Sequence, residues 1–227
     1  MTDDLHINAD FNERVVVDSR AMEWRASPSG TVWRRRLAIS RGAETGIVTS
    51  IVRYDADSSF AEHPHPGGEE IFVLDGVFSD QHGDYPAGSF LLNPESFRHA
   101  PRSEDGCMLF VKLRQYAGAA RERCMIDSSA MDWLRGPNPG TWFKPLYTQP
   151  GFPERIRLVR LDPGAGPVTH DHPGGEEIFV LEGAVEDEGG RYATGTWIRH
   201  PAGSSHATFS RTGCTMLVRE GFLPAVG

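Results

Sequence analysis

An internal repeat constrains the fold of this chain more than any other feature of its sequence. The octapeptide Gly-Gly-Glu-Glu-Ile-Phe-Val-Leu occurs at residues 67–74 and again at residues 174–181, a displacement of 107 residues. The copies stay aligned at this displacement, without a gap, from Arg53 to Cys107 of the first copy. Such a chain is expected to fold as two similar units, because each copy must bury the same hydrophobic pattern.

The repeat extends over nearly the whole chain. Further upstream, the segment around Trp24 matches the segment around Trp133 at a displacement of 109 residues. Each copy covers about 100 residues, which is the size of an independent domain and too long for the unit of a solenoid. Small residues at 116–120 favour a boundary there, so we predict domains at residues 1–118 and 119–227. The segments around the two tryptophans could pack on either domain.

Short strands are indicated throughout both copies. Residues 49–54 and 155–161 are β-branched or alternate between apolar and polar side chains, which is typical of half-buried strands. The apolar runs at 69–74 and 176–181 each end at an acidic residue followed by glycine, a pair that favours a turn. Many short strands separated by turn residues predict an all-β fold, an antiparallel sandwich or barrel in each copy, with little helix.

The composition argues against several classes of function. The net charge is −8 over 227 residues, which does not supply the basic surface that nucleic acid requires. No apolar stretch approaches the roughly 20 residues of a membrane span. Three cysteines without a paired motif argue against a disulfide framework, and the acidic residues 1–6 are unlike a signal peptide. We therefore expect a cytoplasmic protein without nucleic-acid or membrane partners, and we expect it to be a homodimer.

Four side chains of the first copy form a candidate metal site. His63 and His65 are two residues apart, so they point to the same side of an extended strand. Glu69 follows after Gly-Gly, at the start of the next strand, and joins them if it points inward. A fourth group, His99, comes after the tight segment at 93–98.

The second copy carries the same four groups at the same spacing, which makes a second metal site in that copy a prediction as well. Three imidazoles and a carboxylate suit Zn, Fe, Mn, Ni or Co, and they do not suit a calcium site. The equivalent residues of the second copy are His170, His172, Glu176 and His206.

This pattern resembles the two sequence motifs of the cupin superfamily. In the second copy the first motif matches in full, from Gly164 through the two histidines and the glutamate to Gly183. In the first copy Asp57 replaces the leading glycine and Ser96 replaces a glycine of the second motif. Both copies lack the final asparagine of the second motif. The resemblance implies two tandem cupin barrels, of the double-stranded β-helix or jelly-roll type.

The sequence pattern His-x-His-Pro-Gly-Gly-Glu-Glu-Ile-Phe-Val-Leu-x-Gly is similar to that of a narrower group, the ChrR-like cupins. This group is named for the sensor domain of a zinc-binding anti-sigma factor. The resemblance covers both halves of the chain. It implies zinc ligands at the four positions of each copy given above. That anti-sigma factor binds its sigma factor through a helical zinc domain. Nothing in this sequence corresponds to that domain, so direct sigma-factor binding is not expected.

Two functional interpretations stay open at the level of sequence. In the first, zinc completes a closed shell and the protein senses or binds a small molecule, as the resemblance implies. In the second, iron, manganese or nickel leaves coordination positions free, and the protein is a dioxygenase acting on a small diketone or hydroxyketone. No separate catalytic base is evident. His200, which replaces Asn93 near the second site, has either a structural role at a strand end or a role beside the metal.

Overall fold

The computed structural model of the protein describes residues 6–40 and 45–223. Regular structure in these ranges is β-strand, apart from two short 3-10 turns at Ser19–Ala21 and Ser128–Ala130. The prediction of an all-β fold is therefore confirmed. Residues 1–5, which carry most of the argument against a signal peptide, lie outside the described ranges. Within those ranges no helix has the length and apolar character needed to cross a membrane.

The strands are numbered in chain order. The first twelve are β1 (Val15–Asp18), β2 (Arg25–Ala26), β3 (Val32–Ile39), β4 (Val48–Tyr54), β5 (Ser58–Ser59), β6 (His63–Pro64), β7 (Glu69–Asp80), β8 (Gly83–Pro86), β9 (Ser89–Asn93), β10 (Arg98–His99), β11 (Arg102–Ser103) and β12 (Cys107–Leu113). The other ten are β13 (Cys124–Asp127), β14 (Leu134–Arg135), β15 (Thr141–Tyr147), β16 (Arg155–Leu161), β17 (Ala165–His172), β18 (Glu176–Asp187), β19 (Gly190–Ala193), β20 (Thr196–His200), β21 (Ser204–Ser210) and β22 (Cys214–Glu220).

The described chain divides into two compact units. Unit 1 comprises residues 6–9, 22–40 and 45–130, and unit 2 comprises residues 10–21 and 131–223. The main sheet runs β13-β9-β7-β12-β4-β3-β2 in unit 1 and β1-β20-β18-β22-β16-β15-β14 in unit 2. Shorter strands pair with the far ends of β7 and β18, and the pairs β6–β10 and β17–β21 carry the histidine motifs. The predicted tandem jelly-roll barrels are confirmed by this arrangement.

Two strands belong to a different unit from the one expected if the chain were divided between residues 118 and 119. Strand β13 follows that boundary, yet it pairs with β9 in unit 1, from Cys124 opposite Leu92 to Asp127 opposite Ser89. Strand β1 pairs in the same way with β20 in unit 2. Each of these strands satisfies backbone groups of a sheet edge that would otherwise stay unpaired. The division of the duplicated sequence at 118 stays a prediction, while the spatial units draw on both copies.

The acidic residue–glycine pairs are not turns, which corrects the sequence interpretation. Strand β7 continues through Asp75 and Gly76 to Asp80, and its register against β12 shifts at this point. Gly76 has φ +71°, and a Cβ there would lie 2.3 Å from the carbonyl oxygen of Gly106. The shift leaves Leu74, directly before the pair, without a partner on β12, so the strand bulges there and bends between two sets of partners. Gly183 has the same role in β18.

Each unit has its own hydrophobic core, built by the alternation read from the sequence. In β16, Ile156 and Leu158 are buried while Arg155 is exposed. Phe90 and Trp197, expected in the core from their matched positions, are fully buried. The central clusters comprise Val32, Val52, Tyr54, Ile71, Val73, Phe78, Tyr85, Leu91, Cys107, Leu109 and Val111 in unit 1, and Leu161, Ala165, Ile178, Val180, Val185, Tyr192, Ile198, Cys214, Met216 and Val218 in unit 2.

Truncation of Leu91 to alanine tests the core of unit 1. Leu91 is fully buried, so Leu91→Ala is expected to lower the free energy of unfolding by about 2–5 kcal/mol, from lost burial and a residual cavity. Met125→Ala, at a position 56% exposed, is the matched control and should change it by less than about 0.5 kcal/mol. Urea denaturation followed by tryptophan fluorescence measures both. Equal losses in the two variants would contradict this assignment of the core.

Candidate metal centres

Strand pairing brings together histidines that are distant in the sequence. In unit 1, His63 on β6 lies directly opposite His99 on β10. In unit 2, His170 on β17 lies directly opposite His206 on β21. Residues in such register have Cβ atoms only about 4.5–5.5 Å apart. Two of the predicted ligands in each copy are therefore cross-strand neighbours.

The remaining two ligands of each site flank a glycine turn. His65 precedes Gly67 and Gly68, and Glu69 begins β7 directly after them. Gly68 has φ +74°, and a Cβ on it would lie 2.8 Å from Cβ of Tyr116. Only glycine therefore fits this turn, which reverses the chain so that Glu69 faces back toward the histidines.

The four predicted residues of unit 1 lie together. The ligand atoms of His63, His65 and His99 are all within 4.8 Å of one another, and the Nε2 atoms of His65 and His99 are 2.8 Å apart. A carboxylate oxygen of Glu69 lies 3.6 Å from His65 Nε2 and 3.5 Å from His99 Nε2. Glu69 thus approaches the cluster beside two of its three imidazoles.

The cluster of unit 2 is more evenly arranged. All four ligand atoms lie within 4.8 Å of one another, and the Nε2 atoms of His170 and His206 are 3.1 Å apart. The Glu176 carboxylate lies 3.7 Å from His170 Nε2, 3.6 Å from His172 Nε2 and 3.3 Å from His206 Nε2. The glutamate therefore reaches every imidazole of the cluster.

These separations fit coordination of a transition-metal ion. Nitrogen and oxygen ligands at about 2.0–2.2 Å from a metal lie about 3–3.6 Å from each other. The shortest contacts in both clusters fall near this range. In unit 2, His172 Nε2 and Glu176 Oε2 are buried and make no hydrogen bond within the described part of the chain. A cation between these two atoms would compensate the cost of burying them without partners. The structure supports metal binding, while the individual ligand assignments stay predictions.

The first imidazole of each cluster is held by a backbone carbonyl so that Nε2 faces the cluster. Nδ1 of His63 is 2.9 Å from the carbonyl of Ala61, and Nδ1 of His170 is 3.0 Å from the carbonyl of Val168. A carbonyl can only accept, so Nδ1 carries the proton and the Nε2 lone pair is free for a metal.

One aspartate lies behind the third histidine of each site, and neither aspartate was predicted from the sequence. Asp80 Oδ2 lies 3.2 Å from His99 Nδ1, and Asp187 Oδ2 lies 3.6 Å from His206 Nδ1. Both aspartates occupy the same position of the repeat, in loops that otherwise differ. The conservation of aspartate between the two copies was the one sequence feature that could have indicated a role for these residues. Only the bend of β7 and β18 shows that they reach the histidines.

The electrostatics of unit 1 favour neutral imidazoles. Burial lowers the pKa of His65 to about 3, with contributions from His99 and His63. Burial also lowers the pKa of His99 to about 4, although Asp80 opposes the shift. Neutral imidazole is the form that binds a metal. Burial raises the pKa of Glu69 to about 8, which an adjacent cation would reverse.

The glutamate of unit 2 is in a different electrostatic environment. Burial acts to raise the pKa of Glu176, but the neighbouring imidazoles of His170 and His206, 3.7 and 3.3 Å from the carboxylate, outweigh it and hold the pKa below its usual range. The proximity of Glu176 is also the main cause of a raised pKa at His170. The two sites therefore share residue types and differ in charge balance.

A residue next to each glutamate differs between the two copies and contributes to the difference in charge balance. Asn93 lies opposite Glu69 and donates a hydrogen bond from Nδ2 to Glu69 Oε2 at 3.1 Å. His200 holds the same position opposite Glu176. Its ring is buried, with its centroid 4.2 Å from that of His206. Of the two roles considered from sequence, the structure favours a position beside the metal site, since His200, His206 and Asp187 form a further group of potential ligands.

Comparison with known proteins supports both the fold and the duplication. The sequence profile of the ChrR Cupin-like domain matches residues 12–117 and again residues 121–224. No match to a curated protein is significant.

Solved structures provide the same result for the fold. A proposed dioxygenase from Nostoc punctiforme is similar with a TM-score of 0.76 and 16% identity, over 95% of this chain and 85% of that chain. The bacterial pirin YhhW from Escherichia coli, in complex with nickel(II), has a TM-score of 0.70 and 14% identity, over 94% and 100% of the chains. A mutant of oxalate decarboxylase from Bacillus subtilis has a TM-score of 0.65 and 11% identity, over 93% and 78%. At these identities the similarity establishes the fold alone.

Separate removal of one histidine from each cluster tests the ligand sets. His65→Ala and His172→Ala should each abolish one of the two metal sites, because the loss of one imidazole leaves three donors around a buried charge. Elemental analysis of protein purified without added metal should show about half of the wild-type metal in each variant and almost none in the double variant.

An exposed histidine is the control for these variants. His6→Ala should retain the full metal content, since His6 is exposed and lies in neither cluster. Unchanged metal content in both His65→Ala and His172→Ala would show that the ligand assignment is wrong.

Proposed function

Because the chain belongs to the family of ChrR Cupin-like domains, we propose that it is a metal-dependent protein that binds a small organic molecule at the metal centre of unit 1. His63, His65, Glu69 and His99 would hold that metal. The cavity beside these residues is the observation that carries the proposal.

The cavity has a volume of about 130 Å³ and reaches His63, His65 and Glu69. A cavity of roughly 150 Å³ holds a molecule of the size of benzene, so the ligand is expected to have about six non-hydrogen atoms. Most of the remaining wall is apolar and consists of Val52, Phe60, Ile71, Phe78, Pro101, Leu109, Val111 and Leu113. Such walls exclude water from a ligand that lies against the metal.

Two polar side chains in the wall indicate the chemistry of the ligand. Arg34 on β3 supplies a permanent positive charge, and Tyr54 on β4 supplies a hydroxyl. Burial raises the pKa of Tyr54, so the phenol stays neutral and can donate a hydrogen bond. A small molecule with a carboxylate or another anionic oxygen would be attracted to the positive charge of Arg34, while a second oxygen would face the metal.

Unit 2 does not repeat this wall. Phe143 pairs with Val159 in the way that Arg34 pairs with Val52, so an aromatic ring replaces the guanidinium. Glu220 takes the place of Leu113 in the repeat. Because the position of Arg34 is occupied by an aromatic ring in unit 2, we assign the binding of the small molecule to unit 1.

Zinc is the proposed metal of this binding function. Four protein ligands of the His and Glu types complete a tetrahedral zinc site, so the small molecule would lie in the cavity beside the filled site without entering the coordination shell of the zinc. The sensor domain that names the family binds zinc. The protein would then bind the small molecule without converting it, and we propose that this binding serves to sense the molecule.

A dioxygenase is the second candidate, and the cavity beside the unit 1 cluster favours it as well. Iron, manganese or nickel on the same four ligands would leave positions open for a chelating diketone or hydroxyketone and for dioxygen. Both oxygen atoms would enter the organic products, so no further reductant is required. The Nostoc protein of similar fold is itself described as a proposed dioxygenase, which agrees with this candidate.

Replacement of Arg34 tests the binding function. Arg34→Leu should weaken the binding of pyruvate to the zinc-loaded protein by about 1.5–3 kcal/mol, which is the usual contribution of a charge-assisted hydrogen bond. Binding of pentane-2,4-dione, which has no carboxylate, should change much less. Isothermal titration calorimetry measures both ligands.

Three further variants serve as controls for the calorimetry. Arg35→Leu alters the neighbouring arginine, which stacks on Trp24 at 4.1 Å, and should leave pyruvate binding unchanged. His65→Ala should abolish binding, whereas His172→Ala should not. If the wild-type protein binds neither ligand, or if His172→Ala is the variant that abolishes binding, the proposed function of unit 1 is wrong.

Oxygen consumption separates the two candidates. The iron(II)-loaded protein is mixed with pentane-2,4-dione, and a chelator-treated sample serves as the control. Uptake that disappears on chelation and in His65→Ala identifies a dioxygenase. Binding of the diketone without oxygen uptake identifies the binding protein.

A further inference from the structure

We propose that Arg123 and Arg14 are positioning residues for the two metal centres, with Arg123 acting on unit 1 and Arg14 on unit 2. The two arginines occupy matching positions, 109 residues apart, just before β13 and β1. Each therefore stands in the sequence copy opposite to the one that supplies the ligands. This inference rests on the metal sites described above.

In unit 1 a chain of hydrogen bonds leads from Arg123 to a predicted ligand. Arg123 Nη2 donates to the hydroxyl of Tyr85 at 3.0 Å, and that hydroxyl donates to Asp80 Oδ1 at 3.0 Å. The other oxygen of Asp80 lies 3.2 Å from His99 Nδ1. Asp80, Tyr85 and His99 are all buried, so their orientations depend on one another and not on solvent.

A second chain leads from the same guanidinium to the glutamate. Arg123 Nε donates to Asn93 Oδ1 at 3.2 Å, and Asn93 Nδ2 donates to Glu69 Oε2 at 3.1 Å. Accepting from Arg123 fixes the amide of Asn93 so that its NH2 group faces Glu69. One side chain therefore orients two of the four predicted ligands, Glu69 and His99.

The network in unit 2 is shorter. Arg14 Nη2 donates to the hydroxyl of Tyr192 and to Asp187 Oδ2, each at 2.8 Å. Tyr192 donates to Asp187 Oδ1 at 2.9 Å, and Asp187 Oδ2 lies 3.6 Å from His206 Nδ1. At 3.6 Å the contact between Asp187 and His206 is beyond hydrogen-bonding distance, so in unit 2 the arginine fixes the aspartate, and the aspartate acts on His206 through its charge alone. His200 replaces Asn93, so the route to the glutamate seen in unit 1 is not repeated.

These contacts are expected to affect metal affinity. A carboxylate behind a ligating imidazole fixes the ring and increases its basicity, and loss of such an outer contact typically costs 10–100-fold in metal affinity. A fixed arginine restrains the carboxylate and the tyrosine in turn. Removal of the arginine should therefore weaken metal binding without removing any ligand.

The test uses the full-length protein with one metal site at a time. His172→Ala leaves only the site of unit 1, and His65→Ala leaves only the site of unit 2. Arg123→Met and Arg14→Met are introduced into each background. Zinc affinity is measured by competition with a chromophoric chelator, and the visible spectrum of the cobalt(II) form reports the geometry of the ligands.

The expected result is a crossed pattern. Arg123→Met should lower zinc affinity about 10–100-fold in the His172→Ala background and leave it unchanged in the His65→Ala background. Arg14→Met should act only in the His65→Ala background, with a smaller loss because its network is shorter. The cobalt spectrum should shift only where the affinity falls.

Three further variants separate positioning from a general effect on folding. Arg123→Lys should partly restore affinity, because a single ammonium can contact one of the two partners and not both. Tyr85→Phe combined with Arg123→Met should cost less than the two single losses together, since both break the same chain. Arg20→Met changes another arginine of the Arg14 segment, one that packs on Gly195, and should leave both sites unchanged.

The outcomes that overturn the inference are distinct from those that overturn the metal sites. Unchanged affinity in both arginine variants, or an equal loss in both backgrounds, shows that the arginines only stabilise the fold. If the single-site backgrounds bind no zinc or cobalt before the arginines are changed, the ligand assignment and this inference both fail.

Discussion

The burial of two imidazoles and a carboxylate beside a third, partly exposed imidazole is the constraint on which the rest of this structure depends. Polar groups removed from water are costly unless they find partners, and a shared cation is the partner that this donor set fits. In unit 2 the ligand side chains His172, Glu176 and His206 are buried among apolar strands. The surrounding strands therefore both shield the site and fix the directions from which the ligands approach.

Duplication preserved this constraint while the surroundings of the two sites diverged. Asn93 supports Glu69 in one unit, while His200 stands beside His206 in the other. The wall of the cavity contains Arg34 in unit 1, and the matching position in unit 2 is Phe143. Two sites with the same donors can therefore differ in what reaches the metal, because the groups around a metal tune its properties as well as the ligands themselves.

The exchanged strands connect the fold with the sites. Strands β13 and β1 cover sheet edges, which is a structural requirement of any open sheet. An arginine directly precedes each strand, Arg123 before β13 and Arg14 before β1. Each arginine contacts the hydrogen-bond network behind the predicted metal ligands. An edge-covering segment thus also brings a charged side chain to a buried site.

The sequence by itself determined the all-β class, the duplication and the eight candidate ligands. These depend on local patterns: alternation along β16, matched octapeptides, and the spacing of His63, His65 and Glu69. Such patterns report which side of a strand a residue occupies, and this is a property of the local chain.

Only the tertiary structure decided which strands pair over long distances, because pairing depends on backbone groups that every residue shares. The tertiary structure pairs β13 with a strand of unit 1. It also has a bulge within β7 next to Gly76, where a turn was predicted, and it brings Asp80 close to His99. A bulge and a turn call for the same glycine conformation, so the residues alone do not distinguish them.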